Sequence, residues 1–444
     1  MSESKQFIKN TLMTISRQIS AILIGLLYTV IIARVLGPTG NGIYQLIILL
    51  PTMLLTIFNL GIGSSSVYYI GKKNYHIEDI LKTNTRSGLL FSFFSVILGA
   101  LFLLFFSEQF FQDVDPVYLF VILLLMPFLF LNEYYLVIFQ GKQDFKSYNM
   151  LSLSRQIIAL LFTILFLVII RLDIIGALFA FVLGILAQYL LSRYFLKSRL
   201  GVQVKDGVYS KDYFKKSISY GIKAHISNIL SFVNYRADIF IISFYINPAA
   251  VGIYTAAVSI AERLWIVSQA ISSVLFPTVS SLESQDEKNH LTSILSRNVL
   301  WLSIISGFIF FLLSDLVVLI LFGEEYIESS LAIKLLLPGI VLFSVDRILS
   351  NDLAGRGKPE INMNVSIVTV VSNIVLNILL VPHYGIIGAA ASTSVTYSLA
   401  TVIKLFIFKK QTGVKIYKLL IIQSEDYQFY ARILKKVKRR KVST

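Results

Sequence analysis

The sequence predicts an all-α integral membrane protein with about twelve transmembrane helices, arranged as two six-helix lobes related by pseudo-two-fold symmetry. Its 444 residues are 56% hydrophobic and 15% charged, whereas soluble domains are about 45–50% apolar and about 25% charged. Apolar runs recur from Thr11 to Phe408, and many have the roughly 20 residues that a membrane span needs. A turn sequence in the first half of the chain also recurs in the second half, which indicates an internal repeat.

The apolar windows and the charges between them predict where the chain crosses the membrane. Basic residues collect in alternate connections, as in 197–216, and acidic residues in the others, as in 324–328. Because basic loops stay in the cytoplasm, both termini are expected to be cytoplasmic. The first apolar run is too long for a cleavable signal peptide. The predicted spans are 11–36, 42–70, 86–106, 117–139, 149–170, 174–196, 217–246, 249–280, 293–321, 329–350, 362–381 and 385–408.

The net charge of +15 is concentrated at the C-terminus, where Lys409 to Thr444 contain 11 basic and 2 acidic residues. This distribution follows the positive-inside pattern and argues against nucleic acid as a partner. We expect the basic cluster Leu434–Lys441 to anchor the tail on anionic lipid; the alternative is contact with an acidic partner enzyme. The lack of cysteine excludes thiolate catalysis, and the four histidines lie far apart in the sequence, so no metal site is expected.

Four short sequence matches indicate an internal repeat with an offset close to 210 residues. They predict a six-helix lobe at 1–210, a second at 211–408 and a basic cytoplasmic tail at 409–444. Such repeats are the usual construction of alternating-access transporters, whose substrate site lies between the halves; the alternative is a duplication without transport. The matches are Gly37-Pro38-Thr39-Gly40-Asn41-Gly42-Ile43-Tyr44 with Asn247-Pro248-Ala249-Ala250-Val251-Gly252-Ile253-Tyr254, Arg86 with Arg297, Gly141-Lys142 with Gly357-Lys358, and Ile175-Gly176-Ala177 with Ile387-Gly388-Ala389.

Charged side chains inside the predicted spans mark candidate sites, because a charge at the centre of a bilayer costs at least ~2.5–3.5 kcal/mol. Arg236 in the seventh span lies about 15 Å from the outer end, close to the middle of the membrane. Asp238 falls on the opposite side of the helix, so we expect one charge to face a cavity and the other a neighbouring helix. Arg155 and Lys404, near inner ends, are expected to snorkel to the interface.

Other polar residues share helix faces in the second half of the chain. Glu262 and Arg263 belong to a polar face of the eighth span, and Asn373 and Asn377 to one of the eleventh. The alternative role for Glu262, Asp346 and their neighbouring arginines is to pair and lock helices together. In the second span, the glycine- and serine-rich stretch 59–66 is expected to weaken the helix.

Several motifs together resemble a known transporter family. They are Ala33-Arg34-Val35-Leu36-Gly37-Pro38 with Gly42-Ile43-Tyr44, Asn59-Leu60-Gly61, Arg236-Ala237-Asp238, Phe276-Pro277, Asn373-Ile374-Val375-Leu376-Asn377, and Gly385-Ile386-Ile387-Gly388-Ala389-Ala390. Over nearly its whole length the chain resembles the polysaccharide-transporter branch of the multidrug/oligosaccharidyl-lipid/polysaccharide exporter superfamily. The resemblance implies a bacterial cell-membrane flippase for lipid-linked oligosaccharides in O-antigen, capsule or exopolysaccharide synthesis. It also implies two lobes that open alternately inward and outward.

With this resemblance, the mid-membrane residues receive expected roles. An arginine can neutralise the diphosphate of a polyprenyl-linked sugar with a forked set of donors, and amides can bond sugar hydroxyls. The expected substrate-binding residues are Arg236, Arg263, Arg17, Asn234, Asn373 and Asn377, and those for coupling to Na⁺ or H⁺ are Asp238 and Glu262. The expected partners are the lipid-linked oligosaccharide, the bilayer and other polysaccharide-assembly proteins; no cofactor is expected.

Two other functions are open on the sequence. An ion-coupled multidrug or cation antiporter of the same superfamily would favour acidic residues in its cavity, whereas here Arg236 and Arg263 lie beside the mid-membrane acids. A membrane glycosyl polymerase or ligase would need a large outer loop, and the longest predicted outer connections are short ones such as Ser107–Pro116. We therefore expect a transporter and not an enzyme.

Overall fold

The protein is helical throughout the part that can be described. The structure is a computed structural model, and it describes residues 3–424 and 426, without the side chains of 3–17, 223–224, 273–274 and 277. Short 3₁₀ or π segments join some of the helices at 164–169, 204–206, 262–264 and 324–326. The described α-helices are α1 Glu3–Phe58, α2 Ile62–Lys72, α3 Ile77–Phe110, α4 Pro116–Leu123, α5 Met126–Gly141, α6 Phe145–Thr163, α7 Asp173–Leu200, α8 Lys211–Tyr245, α9 Pro248–Ala261, α10 Trp265–Ser281, α11 Gln285–Leu321, α12 Glu328–Gly355, α13 Pro359–Thr412 and α14 Ile416–Leu420.

The helix lengths fit the predicted number of membrane spans. Seven helices of the described chain are long and apolar enough to cross a membrane, and α4 with α5, bent by 41° at their junction, makes an eighth span. Two of the seven, α1 and α13, turn at Gly37 and Gly385, where φ is 66° and 60°, values that glycine adopts readily. Each of these helices contributes two spans, and the more polar α8 and α12 are also of spanning length. The all-α membrane class is thus confirmed.

Helix α3 shows how residues divide between helix contacts and lipid. Its buried residues are mostly small or polar and include Ser87, Ser95 and Gly99. Leu104 and Phe105, in contrast, are 68% and 70% exposed. A soluble helix has the opposite distribution, whereas in a bilayer apolar side chains face lipid and small residues allow helices to approach closely.

Contacts along the chain divide it into two compact units. Unit 1 comprises Met1–Ala256 and Val318–Glu328, and unit 2 comprises Ala257–Val317 and Ser329–Thr444. Helix α8 packs against α2 and α3 and so belongs to unit 1. These units and the repeat halves are different divisions of the chain, and the predicted lobe boundaries stay a prediction.

The two copies of the repeated turn motif pack directly against each other inside unit 1. A Cβ atom added to Gly42 would lie 1.7 Å from the carbonyl oxygen of Pro248, and one added to Gly252 would lie 2.0 Å from that of Pro38. Because the two prolines occupy the same place in the two copies, the contact is reciprocal, as at a two-fold axis. Backbone meets backbone here, and no larger residue than glycine fits.

Each copy of the turn motif ends in a tyrosine, Tyr44 or Tyr254, and the two tyrosines make corresponding hydrogen bonds. The hydroxyl of Tyr44 pairs with that of Tyr28, and the hydroxyl of Tyr254 donates a hydrogen bond to the carboxylate of Asp238, in both cases 16 residues earlier in the chain. The repeat is therefore visible in side-chain contacts as well as in sequence. Its two copies differ in chemistry, because one bond ends on a hydroxyl and the other on a carboxylate.

The stretch predicted to weaken the second span forms a break between α1 and α2. Leu60 and Gly61 have left-handed φ values of 51° and 72°. A Cβ atom on Gly61 would lie 2.2 Å from the carbonyl oxygen of Gly221, so the backbone of α8 packs into the break. The expected weakness at 59–66 is confirmed.

A buried ion pair joins α12 to α13 in unit 2. The Nζ of Lys404 lies 2.9 Å from the carboxylate of Asp346, and the two side chains are 6% and 3% exposed. The expectation that Lys404 snorkels to the interface is wrong, because α12 offers it a carboxylate inside the helix packing. The neighbouring Arg347 stacks its guanidinium 4.4 Å from the centre of the Trp265 ring, a cation–π contact.

The segment after α13 folds back on α11. The Nε of Arg297 lies 2.5 Å from the carboxylate of Asp426, and these side chains are 3% and 0% exposed. The indole nitrogen of Trp301 donates to the carbonyl oxygen of Leu420 at 3.0 Å. Sequence patterns predict only a basic tail after residue 408 and do not reveal this docked part. The basic cluster 434–441 lies outside the described residues.

Unit 1 contains a similar docked segment after α7. The backbone amide of Val208 donates to the carboxylate of Asp79 at 2.7 Å, and the amide of Ser210 donates to the hydroxyl of Thr83 at 2.9 Å. Arg86, the repeat partner of Arg297, lies over the ring of Tyr209. In each unit, therefore, the chain that leaves a span returns to the start of a long helix, α3 or α11.

The reciprocal motif contact predicts that Gly42→Ala and Gly252→Ala each destabilise the protein. Forcing a methyl group against a backbone carbonyl is expected to cost about 1–3 kcal/mol. Thermal unfolding of the purified protein in detergent measures this. Gly71→Ala is the matched control, because nothing lies within 4 Å of its added Cβ. Equal unfolding temperatures for Gly42→Ala and Gly71→Ala would contradict the contact.

The buried ion pair predicts that Asp346→Ala destabilises the protein by about 3–5 kcal/mol, because it leaves the Lys404 ammonium buried without its carboxylate. Combining Asp346→Leu with Lys404→Met removes both charges and is expected to restore most of the stability. The same unfolding measurement compares the variants. A double variant as unstable as the single one would show that the loss does not come from the unpaired charge.

Candidate functional site

The polar residues of α8 lie in two environments within unit 1. Asp238 is 3% exposed and accepts hydrogen bonds from the Tyr254 hydroxyl and from the amide of Ile239. Asn234 is also buried, and its side-chain oxygen has no hydrogen-bond partner among the described residues. Arg236 is half-buried. The Asp238 carboxylate thus joins α8 to α9, while the side chain of Arg236 stays partly accessible.

Glu262 and Arg263 lie at a break in the predicted eighth span. Instead of one continuous helix over 249–280, the chain forms α9, a 3₁₀ turn at Glu262–Leu264 and α10. Both charged side chains are half-buried in unit 2. The Nε of Arg263 is buried and has no hydrogen-bond partner within the described part of the chain. The break between α9 and α10 therefore contains both charged residues, Glu262 and Arg263.

Asn373 and Asn377 face the interior of unit 2. Asn373 donates to the hydroxyl of Thr396 at 3.2 Å, and Asn377 donates to the side-chain oxygen of Asn373 at 3.1 Å. Both residues are fully buried, at 1% and 0% exposure. These bonds connect the arms of α13 on either side of Gly385, so packing already uses the asparagine face. The side chain of Arg17 lies outside the described residues.

A polar cavity with charged walls lies inside unit 1. Its volume is about 450 Å³, within the roughly 300–1,000 Å³ of typical ligand pockets. A second hollow of about 210 Å³ shares Leu55 and Glu133 with it. The polar residues that line the larger cavity are Tyr28, Tyr44, Asn132, Glu133, Ser152, Arg155, Gln156 and Gln188.

Arg155 and Glu133 give this cavity its charge. The guanidinium of Arg155 lies 5.3 Å from the centre of the Phe181 ring. Neither it nor the carboxyl group of Glu133 has a hydrogen bond or an ion-pair partner among the described residues, and both line the cavity. The expectation that Arg155 snorkels is wrong, because a polar hollow inside the helices receives its side chain.

Sequence reasoning missed the Glu133–Arg155 cavity although one signal was present. Glu133 interrupts the apolar run of the fourth span, between Pro127 and Phe139, and a charge in a span indicates a functional site. The convergence of α1, α5, α6 and α7 around that residue could not be read from their sequences. Of the predicted site residues, the structure brings Asn234, Arg236 and Asp238 together on α8, Glu262 with Arg263, and Asn373 with Asn377.

Comparisons with known proteins match most of the chain to proteins of polysaccharide biosynthesis and transport. Residues 7–283 match the family model described as polysaccharide biosynthesis protein, and residues 224–379 match the MatE model. The putative O-antigen transporter of Shigella flexneri is 27% identical over 402 residues, which are 86% of this chain and 93% of that protein. The probable low-salt glycan biosynthesis flippase Agl15 of Haloferax volcanii is 28% identical over 188 residues, and the match covers 42% of this chain and 40% of the relative.

Solved structures share the fold at low sequence identity. The lipid II flippase MurJ in its inward closed conformation has a TM-score of 0.76 at 17% identity, covering 90% of this chain and 87% of MurJ. An inward-facing multidrug transporter of the MATE family has a TM-score of 0.73 at 15% identity, covering 88% and 94%. The family model, which matches more than half of the residues, shows that the chain belongs to the polysaccharide biosynthesis protein family, the polysaccharide-transporter branch of its superfamily.

Proposed function

We propose that this multi-pass membrane protein moves a polyprenyl-diphosphate-linked oligosaccharide from the inner to the outer face of the bacterial cell membrane. The observation that carries the proposal is the presence of charged residues inside the spans: Arg236 and Arg263 are half-buried there, and Arg155 and Glu133 line a cavity of about 450 Å³ in unit 1. A packed helical scaffold has no use for charges inside its spans, whereas a carrier of a hydrated, charged ligand does. The relatives named as an O-antigen transporter and a glycan flippase support the same class of substrate.

The head group of such a lipid is anionic, and the proposal assigns it to arginines. Arg236 on α8 and Arg263 at the 3₁₀ turn are both half-buried inside spans. A guanidinium stays charged and offers several donors to phosphate oxygens. Arg17, which lies nearer the N-terminus on α1, would meet the diphosphate at the cytoplasmic mouth. The polyprenyl chain stays in lipid throughout and needs no protein cavity.

The remaining candidates divide between ligand contact and packing. Asn234 has a side-chain oxygen without a hydrogen bond among the described residues, so we retain it as a sugar contact. The hydrogen bonds of Asn373 and Asn377 favour a packing role over substrate contact. Asp238 and Glu262 are proposed to couple movement to H⁺ or Na⁺, and no chemical change of the substrate is involved.

The proposal places the protein in the synthesis of O-antigen, capsule or exopolysaccharide. Both termini would lie in the cytoplasm, and other polysaccharide-assembly proteins would supply and remove the lipid. The competing function is a cation antiporter, which would favour acidic residues inside the spans, whereas Arg236 and Arg263 lie next to the acids Asp238 and Glu262 in this sequence and would repel a cationic substrate. A preference of the purified protein for organic cations would favour that alternative.

The proposal predicts that replacing both Arg236 and Arg263 with alanine abolishes transport while folded protein remains. Purified protein is placed in vesicles with undecaprenyl diphosphate that carries an oligosaccharide of known composition, and movement between leaflets is followed by access of a sugar-binding lectin. Each lost charge-assisted contact is expected to slow transport at least about tenfold. Gradients of Na⁺ or H⁺ are imposed in parallel to identify the coupling ion.

The matched control for this experiment is Arg193→Ala. Arg193 is an arginine of unit 1, as Arg236 is, but its side chain is exposed and contacts Tyr189 on the same helix. Transport at the normal rate by the double alanine variant would refute the head-group assignment. Vesicles in which the wild-type protein moves no lipid-linked oligosaccharide would refute the proposed function itself.

A further inference from the structure

We propose that the cavity of unit 1 is a subsite for one sugar ring of the translocated oligosaccharide, an inference that rests on the proposed function. The head-group assignment leaves this cavity unused, because Arg236 and Arg263 do not line it. The cavity walls come from α1, α5, α6 and α7, all within unit 1. Its occupant is therefore recognised by one compact set of side chains.

The walls require a ligand that both donates and accepts hydrogen bonds. Arg155 offers only donors, whereas an ionised Glu133 offers only acceptors. Neither has a hydrogen bond to another described residue. The side-chain oxygens of Gln156 and Asn132 in the same wall also lack a partner in the described chain. The two buried oxygens of Asn132 and Gln156 indicate a missing ligand or ordered water. The more accessible side chains of Arg155 and Glu133 line the same space.

A hydroxyl group meets this requirement because it carries one donor and two acceptor positions. Neighbouring hydroxyls of one sugar ring can therefore accept from Arg155 and donate to Glu133 at the same time. Hydrogen bonds to charged groups are also stronger than those between neutral groups. Tyr28 adds aromatic surface for the apolar face of the ring, as in ligand pockets that combine aromatic walls with a few polar groups.

Two other ligands, a diphosphate and a monovalent cation, would each bind favourably to only one of the two charged residues in the cavity wall. A fully ionised diphosphate brings acceptors to Arg155 but places its negative charge beside the carboxylate of Glu133. A monovalent cation suits Glu133 but leaves the guanidinium of Arg155 without an acceptor and adds repulsion. Of these three ligands, only the sugar serves both charged residues. Its binding here would also let the glycan, and not just the diphosphate, decide which lipid is carried.

The lack of cysteine in the chain allows a direct test by alkylation. Ser152 lines the cavity, so the thiol of a Ser152→Cys variant reports whether the cavity is occupied. Ser198→Cys is the matched control, because Ser198 is exposed on α7 of the same unit and does not line the cavity. Maleimide labelling of the full-length protein is timed with undecaprenyl diphosphate, with the same lipid carrying the oligosaccharide moved fastest in the vesicle assay, and with NaCl or a pH series alone.

The proposal expects the oligosaccharide lipid to slow labelling of Ser152→Cys by about tenfold at ten times its dissociation constant. The sugar-free lipid and the salt or pH changes should leave the rate unchanged, and Ser198→Cys should be unaffected throughout. Adding Glu133→Gln, which keeps the size of the side chain, should remove most of the protection, and Arg155→Lys should do so independently.

Other outcomes would overturn the subsite. Equal protection by the sugar-free lipid would assign the cavity to the diphosphate, and protection by NaCl or by pH alone would assign it to an ion. An unchanged rate with the oligosaccharide lipid, in a protein that still moves this lipid in vesicles, would remove the subsite and leave the proposed function intact.

Discussion

The cost of an unpaired charge inside the membrane governs how the polar residues of this protein are arranged. The charge of Lys404 is compensated by the carboxylate of Asp346, 2.9 Å away. The guanidinium of Arg347 stacks on an aromatic ring. Asp238 accepts a hydrogen bond from a tyrosine. Arg155 also lies over an aromatic ring, but neither it nor Glu133 has a hydrogen bond or an ion pair among the described residues, and both line a polar cavity. This cavity is therefore where we propose that a ligand binds.

The second constraint is the close approach of backbones, which small residues permit in a bilayer. Gly42 and Gly252 bring the two turn motifs together, and Gly61 admits α8 into the break between α1 and α2. The docked segments after α7 and after the arms of α13 then cover the starts of α3 and α11. Backbone contacts thus fix helix positions in unit 1, and in both units the returning chain covers part of a long helix.

Composition and periodicity were enough to predict the membrane class, the spans and the repeat, because lipid imposes long apolar helices whatever their packing. Positions that depend on a neighbour were predicted less well. Lys404 and Arg155 were placed at the interface, since nothing in their own spans reveals the carboxylate or the cavity that another helix provides. The same holds for Glu262 and Arg263, whose helix breaks where a continuous span was expected. The spacing of residues in a sequence identifies which side chains share one face of one helix. A site is formed by side chains from several helices, and the sequence does not show which helices are neighbours.

The reciprocal contact between the turn motifs has an evolutionary consequence. A surface on which each copy touches the other in the same way is the kind that holds together a symmetric homodimer. An ancestor half as long, with one motif, could use Pro38 and Gly42 to bind a second molecule of itself in the way that Pro248 and Gly252 are bound here. Fusion of two such genes would then preserve an existing interface, and the two copies would be free to diverge, one keeping a hydroxyl at position 28 and the other a carboxylate at position 238.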